Sequence, residues 1–419
     1  MSGENKAKSH SVSAESSPPS GNQRPSQGEP ANGFGLGWQL GVTTLNRFFI
    51  STARRFAYPF APALSRGLGV STEAVTLVIV ANHIAGVMSL MFGPLGDRRG
   101  YRMMMLSGLA LFAAGMLIGG FFASYWSVIV ALFLAGVANS LFSPATLAYI
   151  GERVPYHRRG LAIGISEMSW AGSSLIGIPL IGVLIDRMDW SAPFFVLGGL
   201  GLLGMVSIAV LIPEDRRDSA FFRERLKFRD AWRLLIRERI ALGGLGFAFF
   251  SVTAIDTFFV IYGIWMEETF HLSIMTLGMT ATVIGIAELS GEGLTAFLSD
   301  RLGKRRSVII GLVLSGMSYI LLPLAGGHLL LALSALFAVF LFFEFMIVTA
   351  LSVMTEVLPR VRATMMSGYL TAASLGHVFG ALLGIWVWNI GGIWAVAIAS
   401  ALISSLGLIS MLWGIKRVK

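Results

Sequence analysis

After residue 38, apolar stretches of about 20 residues or more follow one another along almost the whole chain, broken by short loops that hold most of its charge. A helix of that length crosses a hydrocarbon core of about 30 Å. Backbone inside lipid must satisfy its polar groups internally, which leaves only helices and closed barrels. The runs lack the alternation of a membrane barrel, so the chain reads as an all-α membrane protein. About twelve spans are expected, near 43–64, 72–95, 103–123, 126–151, 161–185, 191–212, 240–265, 274–298, 307–325, 328–352, 365–390 and 393–414. With 55% hydrophobic and 13% charged residues and a mean hydropathy of +0.73, a soluble fold of 419 residues is excluded.

One short basic sentence is written twice, as Gly93-Pro-Leu-Gly-Asp97-Arg98-Arg-Gly100-Tyr-Arg102 and Ala296-Phe-Leu-Ser-Asp300-Arg301-Leu-Gly303-Lys304-Arg305, about 203 residues apart. Glu152, Pro155 and Arg158 repeat at nearly the same offset as Glu356, Pro359 and Arg362. Register held across two separated motifs implies two pseudo-symmetric copies of a six-helix unit. The expected organisation is a disordered tail at 1–37, an N-terminal six-helix bundle at 38–212, a basic linker at 213–239 and a C-terminal six-helix bundle at 240–419. The tail is Ser, Pro, Gly, Gln and Asn with few large apolar side chains, and no signal peptide is visible in it. The linker mixes Arg and Glu with Phe221, Phe222, Leu226, Phe228 and Trp232, a pattern suited to lying on the membrane surface.

A net charge of +9 could suggest nucleic acid, but the positions decide otherwise. Arg98, Arg99 and Arg102, then Arg153, Arg158 and Arg159, the linker, Arg301 to Arg306, Arg360 and Arg362, and the C-terminal Lys416, Arg417 and Lys419 fall in alternate loops or the tail. By the positive-inside rule those loops and both termini face the cytoplasm, with the protein in the plasma (inner) membrane. Cysteine is absent, and no metal or redox cofactor is implied.

Two sets of six spans, a basic linker and a Gly-x-Leu-x-Asp-Arg-x-Gly loop between the second and third span of each half resemble the major facilitator superfamily, over residues 38–419. Gly93, Leu95, Asp97, Arg98, Gly100 and Arg102 match the family's loop motif, with Asp300, Arg301 and Gly303 in the second copy, where Ala296 replaces the leading glycine. The resemblance implies two bundles rocking about a central cavity, and a gating role for the motif with Asp97 as its latch. The fifth span, with Gly177, Pro179 and Gly182, resembles the packing motif of the family's exporters, and Gly376, Gly380 and Gly384 echo it in the eleventh. One departure stands out: the fourth span, at Ala131-Leu132-Phe-Leu-Ala135-Gly136, lacks the arginine of many drug/proton antiporters of the family.

Charges at membrane depth are costly unless they face a cavity or a partner, so they mark functional candidates. In the first span these are Arg54 and Arg55, about 100° apart on a helix, at least one of which is expected to line a cavity. Arg47, nearer the span's start, is expected to snorkel to headgroups. The acids lie in the other half: Asp256 in the seventh span, Glu288 and Glu292 one turn apart in the eighth, and Glu344 in the tenth. These are the proton-coupling candidates. The repeat offset places Asp256 at nearly the depth of Arg54 and Arg55, so an arginine of the first span is expected to approach Asp256 across the cavity. Weaker substrate-binding candidates are Asn82, His83, Asn139, Trp170, Tyr262, Trp265 and His377, and Glu167 is expected to pair with Arg158 and Arg159.

The expected activity is secondary active export of an amphiphilic or drug-like solute by proton antiport, in a monomer whose partners are the bilayer, a small-molecule substrate and protons. No Gly-x4-Gly-Lys-Ser/Thr loop is present for ATP. The rival within transport is an organic-anion or anionic lipid-like solute held by Arg54 or Arg55. A membrane-embedded enzyme or receptor finds no support, since no paired metal ligands, His-x-x-x-His set or Ser-His arrangement with supporting spacing is seen.

Overall fold

The computed structural model describes residues 35–88, 100–154, 156–214, 233, 235–357 and 362–414, and among these the chain is helical with no strand. Residues 1–34 of the tail, the linker from 215 to 232, Gly93, Leu95, Asp97 and Arg98, and the side chains of Arg158, Arg159 and Asp300 lie outside the described residues, and the last positions of the expected tail, 36–37, already belong to the first helix.

Helices α1 (Leu36–Arg55) and α2 (Ala61–Leu68) form the first span around a break at Phe56 to Phe60. The next spans are α3 (Thr72–Val87), α4 (Tyr101–Phe122) and α5 (Tyr125–Arg153). The fifth joins α6 (Tyr156–Gly172) to α7 (Ile178–Arg187) through one π-type turn, Ser173–Gly177, and α8 (Ala192–Leu211) is the sixth. The second half continues with α9 (Arg239–Phe270), α10 (Ile274–Leu302), α11 (Lys304–Leu321), α12 (Leu329–Val357) and α13 (Arg362–Gly414). Among the described residues, nine helical stretches are long and apolar enough to cross a membrane. The last of them bends where Gly391 and Gly392 leave helical geometry, which makes spans eleven and twelve. With α3, which meets α2 at 113°, and the more polar first span, the count reaches the twelve expected.

Local chemistry sets the boundaries. On the face away from the basic loops, Ser71, Ser124 and Ser273 each accept a hydrogen bond from a backbone N–H three residues on, satisfying orphan donors of α3, α5 and α10. At the basic face, Gly100 (φ 90°) and Gly303 (φ 84°) precede α4 and α11. A left-handed φ favours glycine, so the repeated sentence writes the same turn twice. Beside the first of these turns, Arg102 pairs with Glu214 at 2.9 Å and donates to the Ala209 carbonyl, tying α4 to the end of α8.

Helices in lipid gain no hydrophobic drive from each other, so they associate by close packing of small residues. Gly376, Gly380 and Gly384 line one stripe of α13 against the α9 carbonyls of Phe249, Thr253 and Thr257, where an added Cβ would lie 2.4–2.7 Å from those oxygens. In the fifth span, Pro179 occupies the first turn of α7, where its missing N–H costs nothing. Gly182 there meets Gly278 of α10, an added Cβ standing 3.3 Å from its Cα. The seam between the halves is therefore α7 and the π-type turn on α10, and α3 on the first part of α13. The duplication exchanges these two contacts.

Candidate functional site

The break in the first span positions the site. Pro59 has no N–H to offer the Arg55 carbonyl, so the helix cannot run on, and the Tyr58 N–H takes that carbonyl at 3.1 Å instead. Gly263 of α9 leaves room for the Tyr58 and Pro59 carbonyls, which would lie 2.4–2.7 Å from an added Cβ. Arg54, Arg55 and Tyr58 are thereby presented to a cavity of about 40 Å³ at the centre of the molecule. Ile255, Asp256 and Phe259 of α9 line it, with Phe340, Phe343 and Glu344 of α12, and His83 of α3, Trp170 of α6, Glu288 of α10 and His377 of α13. That volume holds a few waters and is far below the roughly 300–1,000 Å³ of a drug-sized site, so this conformation is closed around its centre.

Two buried polar clusters meet there. In the first, Arg55 Nη2 and Nη1 donate to the Glu288 carboxylate at 2.6 and 3.2 Å, both residues 3% exposed. Arg55 also donates to the Trp170 carbonyl at 3.2 Å and lies over the Trp170 ring, 4.3 Å from its centroid. Ser174 donates to Glu288 Oε2 at 3.1 Å. In the second, His377 Nδ1 lies 2.7 Å from Asp256 Oδ2, and the Tyr58 hydroxyl donates to the same oxygen at 3.1 Å. His83 Nε2 is 2.7 Å from that hydroxyl, and the His83 and His377 rings stack with centroids 4.2 Å apart. The first cluster draws on spans one, five and eight, the second on seven, eleven and two, the sets that the duplication exchanges. Tyr58, three residues after Arg55 on span one, joins the second.

Two expectations need correction. Among the described residues no arginine of the first span pairs with Asp256: Arg54 lines the same cavity but bonds Asn82, Arg55 is taken by Glu288, and the residue that bonds Asp256 is Tyr58, within the break. Arg47 pairs with Glu167, bidentate at 2.8 Å, which places Arg47 in an ion pair rather than among headgroups; the expected partners of Glu167, Arg158 and Arg159, have side chains outside the described residues. Both first-span arginines line the cavity because their guanidinium groups diverge, Arg54 toward Asn82 Oδ1 at 3.1 Å and Arg55 toward α10. Among the described residues Arg54 has no carboxylate partner, and neither hydrogen bond nor ion pair reaches the Glu344 carboxylate.

Of the residues singled out from sequence, the structure gathers Arg54, Arg55, His83, Trp170, Asp256, Glu288, Glu344 and His377 around the cavity, with Asn82 supporting Arg54. Asn139 accepts from Ser143, Tyr262 bonds Thr280 and stacks on Phe259, and Trp265 packs on Phe258 and Phe270, and none of the three is in the cavity lining. Glu292 is half-buried and outside the lining. Sequence reasoning missed Ser174, Phe259, Phe340 and Phe343, and passed over Tyr58, for which the adjacent Pro59 was the available signal.

A model of the Major Facilitator Superfamily matches residues 43–264 and 245–419. The chain is 26% identical over 323 residues to the uncharacterized MFS-type transporter YceJ of Bacillus subtilis, covering 76% of this chain and 81% of the relative. It is 23% identical over 294 residues to the multi-drug resistance efflux pump PmrA homolog of Lactococcus lactis, covering 68% and 72%. Its fold is similar to the crystal structure of a bacterial homolog of the human lysosomal transporter Spinster, inward-facing and unoccupied, with a TM-score of 0.72, 15% identity and coverage of 91% and 96%.

Proposed function

The chain belongs to the major facilitator superfamily of membrane transporters, and from that premise we propose that it exports a cationic amphiphilic solute in exchange for protons, by alternating access through the central cavity. The observation that carries this reading is the charge balance around Arg55. One guanidinium faces Glu288 in a bidentate pair, while Glu344 lines the same cavity with no partner among the described residues. Glu292 sits one turn along α10 from Glu288, and Gly291 packs directly on the Glu344 Cβ. Arg55 balances one carboxylate at a time and Arg54 is turned to Asn82, so Glu344 can be balanced by a proton or by a cationic group of a solute. A site that holds either, and not both, exchanges them. Phe259, Phe340 and Phe343 supply the apolar and π-rich surface that an amphiphilic cation requires. The likeness to a multi-drug efflux pump supports export.

In this reading the protein works as a monomer in the cell membrane, with its basic loops and both termini in the cytoplasm. The two bundles, 38–212 and 240–419, rock about the seam, and the basic loop motif from Gly93 to Arg102 gates the cytoplasmic side.

The test is a proteoliposome assay that reports lumenal pH while cationic, anionic and neutral amphiphiles are supplied. Proton movement driven by cations, and lost in Glu344→Gln and Glu288→Gln, is expected. A second reading is favoured by Arg54, which lines the cavity without a carboxylate partner among the described residues: transport of an organic anion. A response confined to anions and lost in Arg54→Gln would replace the first reading with the second.

A further inference from the structure

We propose that His83, Asp256 and His377 form a binding site for a divalent transition-metal ion of the zinc class, built across the seam between the two halves. Three potential ligand atoms, one from each residue, lie within 4.8 Å of one another. Two imidazoles and one carboxylate are a donor set suited to zinc, with a fourth position left for water. Bonds of about 2.0 Å in a tetrahedral site place ligand atoms about 3.3 Å apart. The 2.7 Å between His377 Nδ1 and Asp256 Oδ2 has to open slightly, and separations of up to 4.8 Å have to close by as much as about 1.5 Å through side-chain rotation into the cavity.

The surroundings fit the assignment. Tyr58 donates to Asp256 Oδ2 and so fixes the carboxylate's orientation, the part that outer-shell partners play in metal sites. His377 is 25% exposed, which gives an ion a way in, while Asp256 is 2% exposed. Of the other charged groups lining the cavity, Arg55 is neutralised by Glu288, and the remaining Arg54 and Glu344 oppose each other in sign.

The consequence follows from topology. His83 belongs to α3 in the first half, and Asp256 and His377 belong to α9 and α13 in the second. An ion held by all three fixes the seam in this conformation, so zinc stabilises the protein and slows its transport cycle whatever solute is moved.

The experiment uses tag-free full-length protein, because a polyhistidine tag binds the same ions. Melting temperature is recorded with Zn²⁺ and with Mg²⁺ for the parent, His83→Ala, His377→Gln and the exposed control His328→Gln. Zn²⁺, and not Mg²⁺, is expected to raise the melting temperature of the parent and of the control, and the rise is expected to vanish in both site variants. Tyr58→Phe keeps the three ligands and is expected to weaken zinc binding ten- to a hundred-fold. If His83→Ala does not fold, His377→Gln at the cavity edge decides. A zinc shift absent from the parent, or retained in His377→Gln, overturns the site. The readout is binding without transport, so its failure leaves the proton-exchange reading standing, and the converse also holds.

Discussion

Arg55 and Glu288 face each other across the seam between the two halves, joined by two hydrogen bonds at 2.6 and 3.2 Å and shut away from solvent. No alternating-access cycle can widen the cavity without straining this pair, because its members sit on different halves. A desolvated ion pair adds little net stability, yet removing one partner strands the other and costs about 3–5 kcal/mol. The pair thus acts as a seam element first and as a stabiliser second.

Glu288→Gln is accordingly expected to lower the melting temperature and abolish transport, since Arg55 is left charged and uncompensated at 3% exposure. The double variant Arg55→Leu with Glu288→Leu is expected to regain most of the melting temperature and none of the transport. Thermal melts set beside solute flux separate the two effects. Transport by the double variant would show the pair to be structural only.

Tyr58 joins His83 to Asp256 in the second polar cluster, and Tyr58→Phe removes its hydroxyl without changing the ring that stacks on Phe259 at 4.2 Å. The loss leaves His83 and Asp256 short of a buried partner, at a cost of about 1–3 kcal/mol. Melting is expected to drop by that amount while the fold persists. An unchanged melting curve would mean that water takes over both bonds.

The twelve-span all-α architecture was legible because lipid allows few solutions, and the two-fold repeat was legible because its glycines mark a turn that both halves use, at Gly100 and Gly303. Candidate residues were legible one by one, since charge at membrane depth is rare. Their pairing was not. Arg55 and Glu288 are 233 residues apart, and nothing local in α1 says whether Arg55 meets Asp256 or Glu288. That choice depends on where the first span breaks, set by Pro59, and on α10 crossing the fifth span at the π-type turn. The phenylalanines of α12 were invisible for the opposite reason: in an apolar helix, lining a cavity and facing lipid look alike.

Gly380 tests the packing that sets His377 against Asp256. A Cβ there would stand 2.7 Å from the Thr253 carbonyl and from the Asp256 Cβ, so Gly380→Ala has to push α13 off α9. Overpacking of this kind costs about 1–3 kcal/mol and outweighs the gain in helix propensity, roughly 0.5–1 kcal/mol. An added Cβ at Gly199 in α8 meets no atom of another described element within 4 Å, so Gly199→Ala is expected to be neutral or slightly stabilising. Equal melting temperatures for the two variants would refute the close approach.

On the face away from the basic loops, two further pairs join the halves: Arg66 of α2 with Glu267 of α9, and Glu73 of α3 with Asn389 of α13. Thr282, between that face and Glu288 on α10, reaches the Leu175 carbonyl across the same seam. Together these polar contacts hold the cavity closed on that side. Arg66 is 56% exposed, so its ion pair is worth at most about 1 kcal/mol and is screened by salt. In a two-state equilibrium even that matters, because about 1 kcal/mol moves the open population roughly five-fold. The chain has no cysteine, so Thr282→Cys introduces a single thiol that reports opening on this side. Glu267→Gln is expected to raise its labelling rate by up to about five-fold, added salt to do the same in the parent, and Glu73→Gln to multiply the effect if the pairs act independently. Labelling that ignores both substitutions and salt would show that packing alone, and not these pairs, keeps this side shut.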